Sequence, residues 1–156
     1  TNYKGCEIMD YKANMKELNT LLASVESVYL TIAKENDLSY NELMMLLMLN
    51  EDARLTQKKV CDGLYLPKSS VHTLLADLMR RRYLTLTEGG NKKEKYISPT
   101  ESGTLLVAKV AAETERIEGN TLSSVSERER TLFVKTAQKL TRAMLHEVEQ
   151  VYGEEN

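Results

Sequence analysis

Glycine and proline are scarce in this chain, at 7 and 2 of 156 residues, which argues against an all-β fold built on many tight turns. Its two cysteines, Cys6 and Cys61, cannot make a disulfide framework and suit a reducing compartment. The longest apolar run, residues 43–49, is far too short to span a bilayer. No charged-then-apolar signal segment opens the sequence, so export is not expected and a soluble cytoplasmic protein is. Catalytic signatures are missing as well: there is no Cys-x-x-Cys, His-Glu-x-x-His, Gly-rich phosphate loop or Gly-x-Ser-x-Gly. His72 and His146 lie too far apart in sequence to form a metal-ligand cluster. The expectation is therefore a protein that is not an enzyme and carries no metal or cofactor. What is present is globular: 42% hydrophobic and 28% charged residues, far from the signature of disorder. The length is that of about one domain.

The net charge of −2 hides an uneven distribution. Between residues 54 and 100 there are ten basic residues against four acidic ones, a surplus of six positive charges that leaves the remainder at −8. A basic middle between acidic ends points to a polyanionic partner; a solvated face with chance clustering is the alternative.

Periodicity predicts helices around one small β element. Ile8, Tyr11, Met15, Leu18, Leu22, Val25, Tyr29 and Ile32 recur at spacings of three and four, an a/d seam over one long helix at about residues 8–33. Such a seam is hard to bury in a small monomer. Ser39 with Glu42 is a capping-box spacing before the next helix, which should end near Asn50. Thr56 can cap a short third helix that Gly63 closes. Pro67 suits the first position of a fourth helix, residues 67–82. Val71, Leu74, Leu75 and Leu78 share one of its faces, and Ser69, Thr73, Ala76 and Arg80 the other, with His72 at the edge. Tyr83 to Thr87 alternates and is β-prone, residues 88–93 are turn material, and Tyr96 to Ser98 can return as a partner strand. Thr100 can cap a fifth helix to about Ile117, broken by Gly119-Asn120. Ser126 with Glu129 opens a sixth, whose stripe is Phe133, Ala137, Leu140, Met144, Val148 and Val151.

Helix, short helix, helix and basic hairpin in that order make a winged helix-turn-helix, and the fold class expected is mainly α with a β-hairpin wing. Residues 39–103 are expected to form the winged helix-turn-helix, and residues 1–38 and 104–156 a helical region whose long seams call for a partner helix. Small polar residues on the fourth helix would let its backbone approach a major-groove floor, while the hairpin tip reaches minor groove or phosphates. The candidate DNA contacts are Lys68, Ser69, Ser70, His72, Thr73, Arg80, Lys92, Lys93 and Lys95. His72 can donate to a guanine acceptor, and Thr73 can offer its methyl to thymine. Ser69 and Ser70 can bind phosphate at the positive end of the helix. Each has a plainer alternative: an exposed helix residue, or a local helix-start group. Arg80, Arg81 and Arg82 cannot all point one way, and at least one should pair with Asp77.

Residues 38–103 resemble the MarR family of bacterial transcription regulators, through "LSYNELMMLLML", "LTQKKVCDGLYLPKSSVHTLLADLMRRRYLTL" and the "SPTESG" that opens the fifth helix. The resemblance implies a homodimer whose first, fifth and sixth helices intertwine, acting as a DNA-binding regulator, a repressor by type, on a pseudo-palindromic operator. It also implies release by a small aromatic effector, for which Tyr29, Tyr40, Met44 and Met48 are candidates; methionines of this kind are otherwise ordinary core. Pro99 stands where the family's fifth-helix opening has leucine, and three further places depart from the pattern. Ser69-Ser70-Val71-His72-Thr73 stands where Ser-Thr-Val-Thr-Arg is common, Asn91-Lys92-Lys93 replaces the wing's Asp-x-Arg, and Arg82 replaces a glycine. Lysine lacks the planar fork of arginine, so phosphate attraction should outweigh groove-shape reading at the wing. Cys6 lies where a peroxide-sensing branch keeps its reactive thiol, which makes a redox-sensing regulator one alternative. A winged-helix protein-interaction module is another. Cys61 reads as small core filler.

Overall fold

The computed structural model describes the backbone of residues 5–90 and 94–153, and side chains from residue 12 onward. Cys6, Asn91, Lys92 and Lys93 therefore lie outside the described side chains, as do Ile8 and Tyr11 of the first seam. Among the described residues the order is α1 (Gly5–Glu35), α2 (Tyr40–Glu51), α3 (Gln57–Leu64), α4 (Lys68–Arg80), β1 (Leu84–Glu88), β2 (Lys95–Pro99), α5 (Glu101–Leu122) and α6 (Glu127–Tyr152). This is the mainly α fold with a two-stranded wing that the sequence predicts. The chain forms two compact units, Thr1–Thr114 and Glu115–Asn156.

The first unit is organised around α2, whose Leu43, Met45 and Leu46 have no access to solvent. Its start is set by a capping box: the Ser39 hydroxyl accepts from Glu42 N–H at 3.3 Å, and the Glu42 carboxylate accepts from Ser39 N–H at 2.7 Å. Val60 of α3, Val71, Leu75 and Leu78 of α4, Leu84 and Ile97 of the hairpin and Val107 and Val110 of α5 close the core around it. Each such side chain contributes roughly 1.5–3 kcal/mol through removal from water. β1 and β2 pair antiparallel with Leu84 opposite Pro99 and Leu86 opposite Ile97, which puts Leu84, Leu86 and Ile97 on one face. The Ile97 N–H also donates to the Leu55 carbonyl at 2.8 Å, fastening the wing to the turn before α3.

The wing's base is fastened again from the other side. Thr100 Oγ1 donates to the Arg82 carbonyl (2.6 Å), Ser102 Oγ to the same carbonyl (2.9 Å), and Thr100 N–H to the Tyr83 carbonyl (2.9 Å). Thr100 also caps α5, accepting from Gly103 N–H at 3.1 Å. A β-carbon on Gly103 would lie 1.8 Å from the Tyr83 oxygen, so only glycine fits there.

Several local expectations change. Gly63 does not close α3; it lies inside the helix, where an added β-carbon would meet the Met48 methyl at 2.7 Å. The helix instead ends at Tyr65, in the left-handed region. Pro67 is the N-cap of α4 and not its first residue, and Lys68 takes that place. Gly119-Asn120 does not break α5, which runs on to Leu122: one glycine in a helix interior costs only about 1 kcal/mol, and the turn waits for the Ser126 cap. Cys61 is half-buried and not core.

Along α1, Ile32 and Ala33 enter the core, but Leu22 and Val25 stay 55% and 56% exposed. The second unit holds the last turns of α5 and α6. Ser126 and Glu129 form the second capping box, and the Ser126 hydroxyl and N–H hold the Glu129 carboxyl below the usual carboxylate range. The α6 stripe is uncovered as well, with Phe133 69% and Val151 65% exposed.

The two glycines should separate cleanly on substitution. Gly103→Ala is expected to destabilise by about 3 kcal/mol or more, because the obstacle is backbone. Gly63→Ala should stay within about 1 kcal/mol, since a methionine tip can swing aside and alanine favours the helix. Urea unfolding of both variants checks the contrast.

Candidate nucleic-acid interface

α4 begins without a side-chain cap: the Ser70 and Val71 N–H groups reach the Pro67 carbonyl, and Lys68 stands exposed at the helix start. Its apolar side, Val71, Leu75 and Leu78, is buried, with Leu74 half-buried; Lys68, Ser69, His72, Thr73, Ala76 and Arg80 are exposed and Ser70 half-buried. The predicted two-faced helix is thus found with its polar side clear of its own chain. Thr73 Oγ1 donates to the Ser69 carbonyl at 3.1 Å, which commits its hydrogen inside the helix. What remains for an outside partner is a methyl group and an acceptor oxygen.

Two cavities flank this helix. One, of about 560 Å³, is lined by Thr56, Gln57, Lys58, Lys68, Leu86, Glu94 and Lys95. Lys68 and Lys95 thus meet in a single cleft between the helix start and the wing, and neither forms an ion pair among the described residues. The other, of about 510 Å³, lies among Gln57, His72, Leu75, Ala76, Met79, Arg80 and Leu86. His72 and Arg80 therefore share the second groove. Lys92 and Lys93 lie outside the described residues. Gln57 and Lys58 belong to this surface although sequence reasoning did not select them; their position at the start of α3, after the Thr56 cap, is the signal that could have found them.

The three consecutive arginines divide. Arg80 pairs with Asp77 on the surface and, as the main cause, holds the Asp77 carboxyl below the usual carboxylate range. That pair keeps its charges at any pH above the ordinary carboxylate value and is lost only as pH falls through the lower folded one. Arg81 turns inward: its guanidinium meets Glu42 at 3.4 Å and Asp77 at 3.7 Å, donates to the Asp37 carbonyl at 2.7 Å and stacks 5.2 Å from the centre of the Tyr83 ring. Arg82 takes φ 62°, the left-handed conformation that favours glycine. Asp77 was the expected partner; the buried Glu42 contact, spanning 39 residues, leaves no trace in local spacing.

Of the candidate effector residues, Tyr40, Met44 and Met48 follow one another at intervals of four along α2, and Tyr29 is on α1. Tyr29, Tyr40, Met44 and Met48 are half-buried, Met45 fully buried, and none lines either cavity just described. The Met48 side chain lies beside Gly63 of α3. Among the described residues no group of three or more His, Cys, Asp or Glu side chains is placed to hold a metal ion, and no helix is long and apolar enough to cross a membrane.

Replacing Arg81 should matter far more than replacing its neighbour. Arg81→Ala strands a nearly buried carboxylate and is expected to cost about 2–4 kcal/mol, whereas Arg80→Ala at an exposed pair should cost at most about 1 kcal/mol. Thermal unfolding of the two variants reads the difference.

Residues 36–93 match the model of the MarR family. No curated protein matches the chain. Among solved structures it is similar to NMB1585, a MarR family regulator from Neisseria meningitidis, at 20% identity and TM-score 0.76 over 88% of this chain and 97% of that one. It is also similar to MepR of Staphylococcus aureus in its DNA complex, at 19% identity and TM-score 0.72 over 81% and 93%. The third is S. aureus MarR in complex with salicylate and kanamycin, at 13% identity and TM-score 0.71 over 89% and 95%. Residues 36–93 thus match the MarR family, and the chain that carries them has the winged-helix fold of those solved regulators.

Proposed function

We propose that the protein is a sequence-specific DNA-binding transcription regulator, a repressor, that acts as a homodimer on a pseudo-palindromic operator. The observation that carries this reading is the outward polar face of α4, bordered by the cleft where Lys68 and Lys95 meet. Ser69, His72 and Thr73 then address base edges, Ser70 and Lys68 the phosphates at the helix start, and Lys92, Lys93 and Lys95 the backbone beside the wing. Arg80 keeps a share in Asp77 and contributes through its exposed remainder. The solved DNA complex of MepR, a protein of like fold, supports the same partner.

A second copy of the chain is the partner that suits the uncovered stripes of α1 and α6. Two α4 helices then enter successive major grooves, about 34–36 Å apart. The reading includes release by a small aromatic effector, supported by the salicylate complex of S. aureus MarR. Such a ligand acts only by its differential affinity for free and DNA-bound forms, so it binds more weakly in the presence of operator. Equal effector affinity with and without operator would refute that part.

The deciding experiment is selection of bound sequences from random DNA, followed by titration of the selected duplex. With six to ten phosphates neutralised per dimer, affinity should fall roughly 10³–10⁵-fold between about 50 and 200 mM salt. Lys92→Ala with Lys93→Ala should weaken binding to all sequences alike and flatten the salt slope by up to about 2. Binding indifferent to salt, or unchanged in the double variant, contradicts the proposal and favours a protein-docking module.

A further inference from the structure

Three helices of this chain close in the same way. The N–H of Leu38, of Leu66 and of Tyr83 each reaches back five residues, to the carbonyls of Ala33, Cys61 and Leu78. The residue before each donor is left-handed: Asp37, Tyr65 and Arg82, at φ 54°, 52° and 62°. Glycine is usual at this position, because a side chain there crowds the following carbonyl.

Two of the three have an internal role. The Asp37 carbonyl accepts from Arg81, and the Arg82 carbonyl accepts from Thr100 and Ser102. Tyr65 has none. Its side chain is 81% exposed, the most exposed large hydrophobic side chain among the described residues. It makes no hydrogen bond or ring contact there. The left-handed backbone closes α3, but the closure does not require a bulky aromatic there, nor that its ring be turned to water.

Its place suggests what it meets. Tyr65 stands three residues before Lys68, the first residue of α4, so the two α-carbons are at most about 11 Å apart. If the first turn of α4 enters a major groove, the turn before it faces the strand that borders that groove. A phenol hydroxyl is among the groups that bond phosphate oxygens, and an aromatic ring offers a rigid apolar face to sugar carbons at little entropic cost.

We propose that Tyr65 is a DNA-backbone contact, its hydroxyl donating a hydrogen bond to a phosphate oxygen at the edge of the groove that α4 enters, its ring lying on the adjoining deoxyribose. This rests on the DNA-binding reading above. It differs from the lysine contacts in kind, since it fixes register without adding charge.

The full chain carrying Tyr65→Gly or Tyr65→Phe is titrated against the duplex selected from random DNA at several salt concentrations, and unfolded thermally. Tyr65→Gly should weaken binding roughly tenfold and Tyr65→Phe roughly three- to fivefold. Both should keep the salt slope of the unaltered protein, because no cation is lost. Tyr65→Gly should melt no lower than the unaltered protein, since the left-handed position suits glycine. Affinity lost while stability is kept is the signature of a contact. Either variant binding within about twofold of the unaltered protein, or a marked fall in melting temperature for Tyr65→Gly, overturns the assignment. If the unaltered protein binds no selected duplex, the DNA reading itself falls; if it binds and the variants match it, only the tyrosine assignment does, and a protein partner becomes the occupant to test for.

Discussion

The carboxylate of Glu42 has almost no access to water, and the way three helices meet follows from how its charge is satisfied. One oxygen accepts from Ser39 N–H and so begins α2; the other meets the Arg81 guanidinium at the end of α4. The same guanidinium takes the Asp37 carbonyl, in the turn that joins α1 to α2. A buried charge left without partners costs several kcal/mol. The reading helix is therefore held to α1 and α2 by an electrostatic obligation as well as by Val71, Leu75 and Leu78.

The consequence for the surface is a thinning of its positive charge. Arg81 is consumed inside by Glu42 and Lys59 pairs with Asp52, two carboxylates outside the counted segment, while the Arg80–Asp77 and Lys58–Asp62 pairs lie within it and are already counted. The surplus counted along the sequence overstates what a polyanion meets. Lys68 and Lys95, in one cleft beside an uncapped helix start, are a smaller but better placed pair.

Much of the fold was legible in the sequence because its signals are local. Ser39-Glu42 and Ser126-Glu129 are reciprocal caps over one turn, and the two faces of α4 follow from 100° per residue. The polar face of the candidate site was readable for that reason. Two misplacements share a cause: glycine reads as punctuation, whereas Gly63 is a packing site against Met48, Gly119 is tolerated within a helix, and the left-handed closures fall on Asp37, Tyr65 and Arg82. The inward turn of Arg81 and the meeting of Lys68 with Lys95 depend on contacts between distant segments, which periodicity does not encode.

The absence of room for a β-carbon at Gly103 has a mechanical meaning. The first turn of α5 sits flush on the Tyr83 carbonyl, and the Thr100 and Ser102 hydroxyls grip the neighbouring Arg82 carbonyl. Close packing and shared hydrogen bonds thus join the opening of α5 to the root of the hairpin. The heading of the wing is thereby tied to that of the helix behind it, as a pointer is to its shaft.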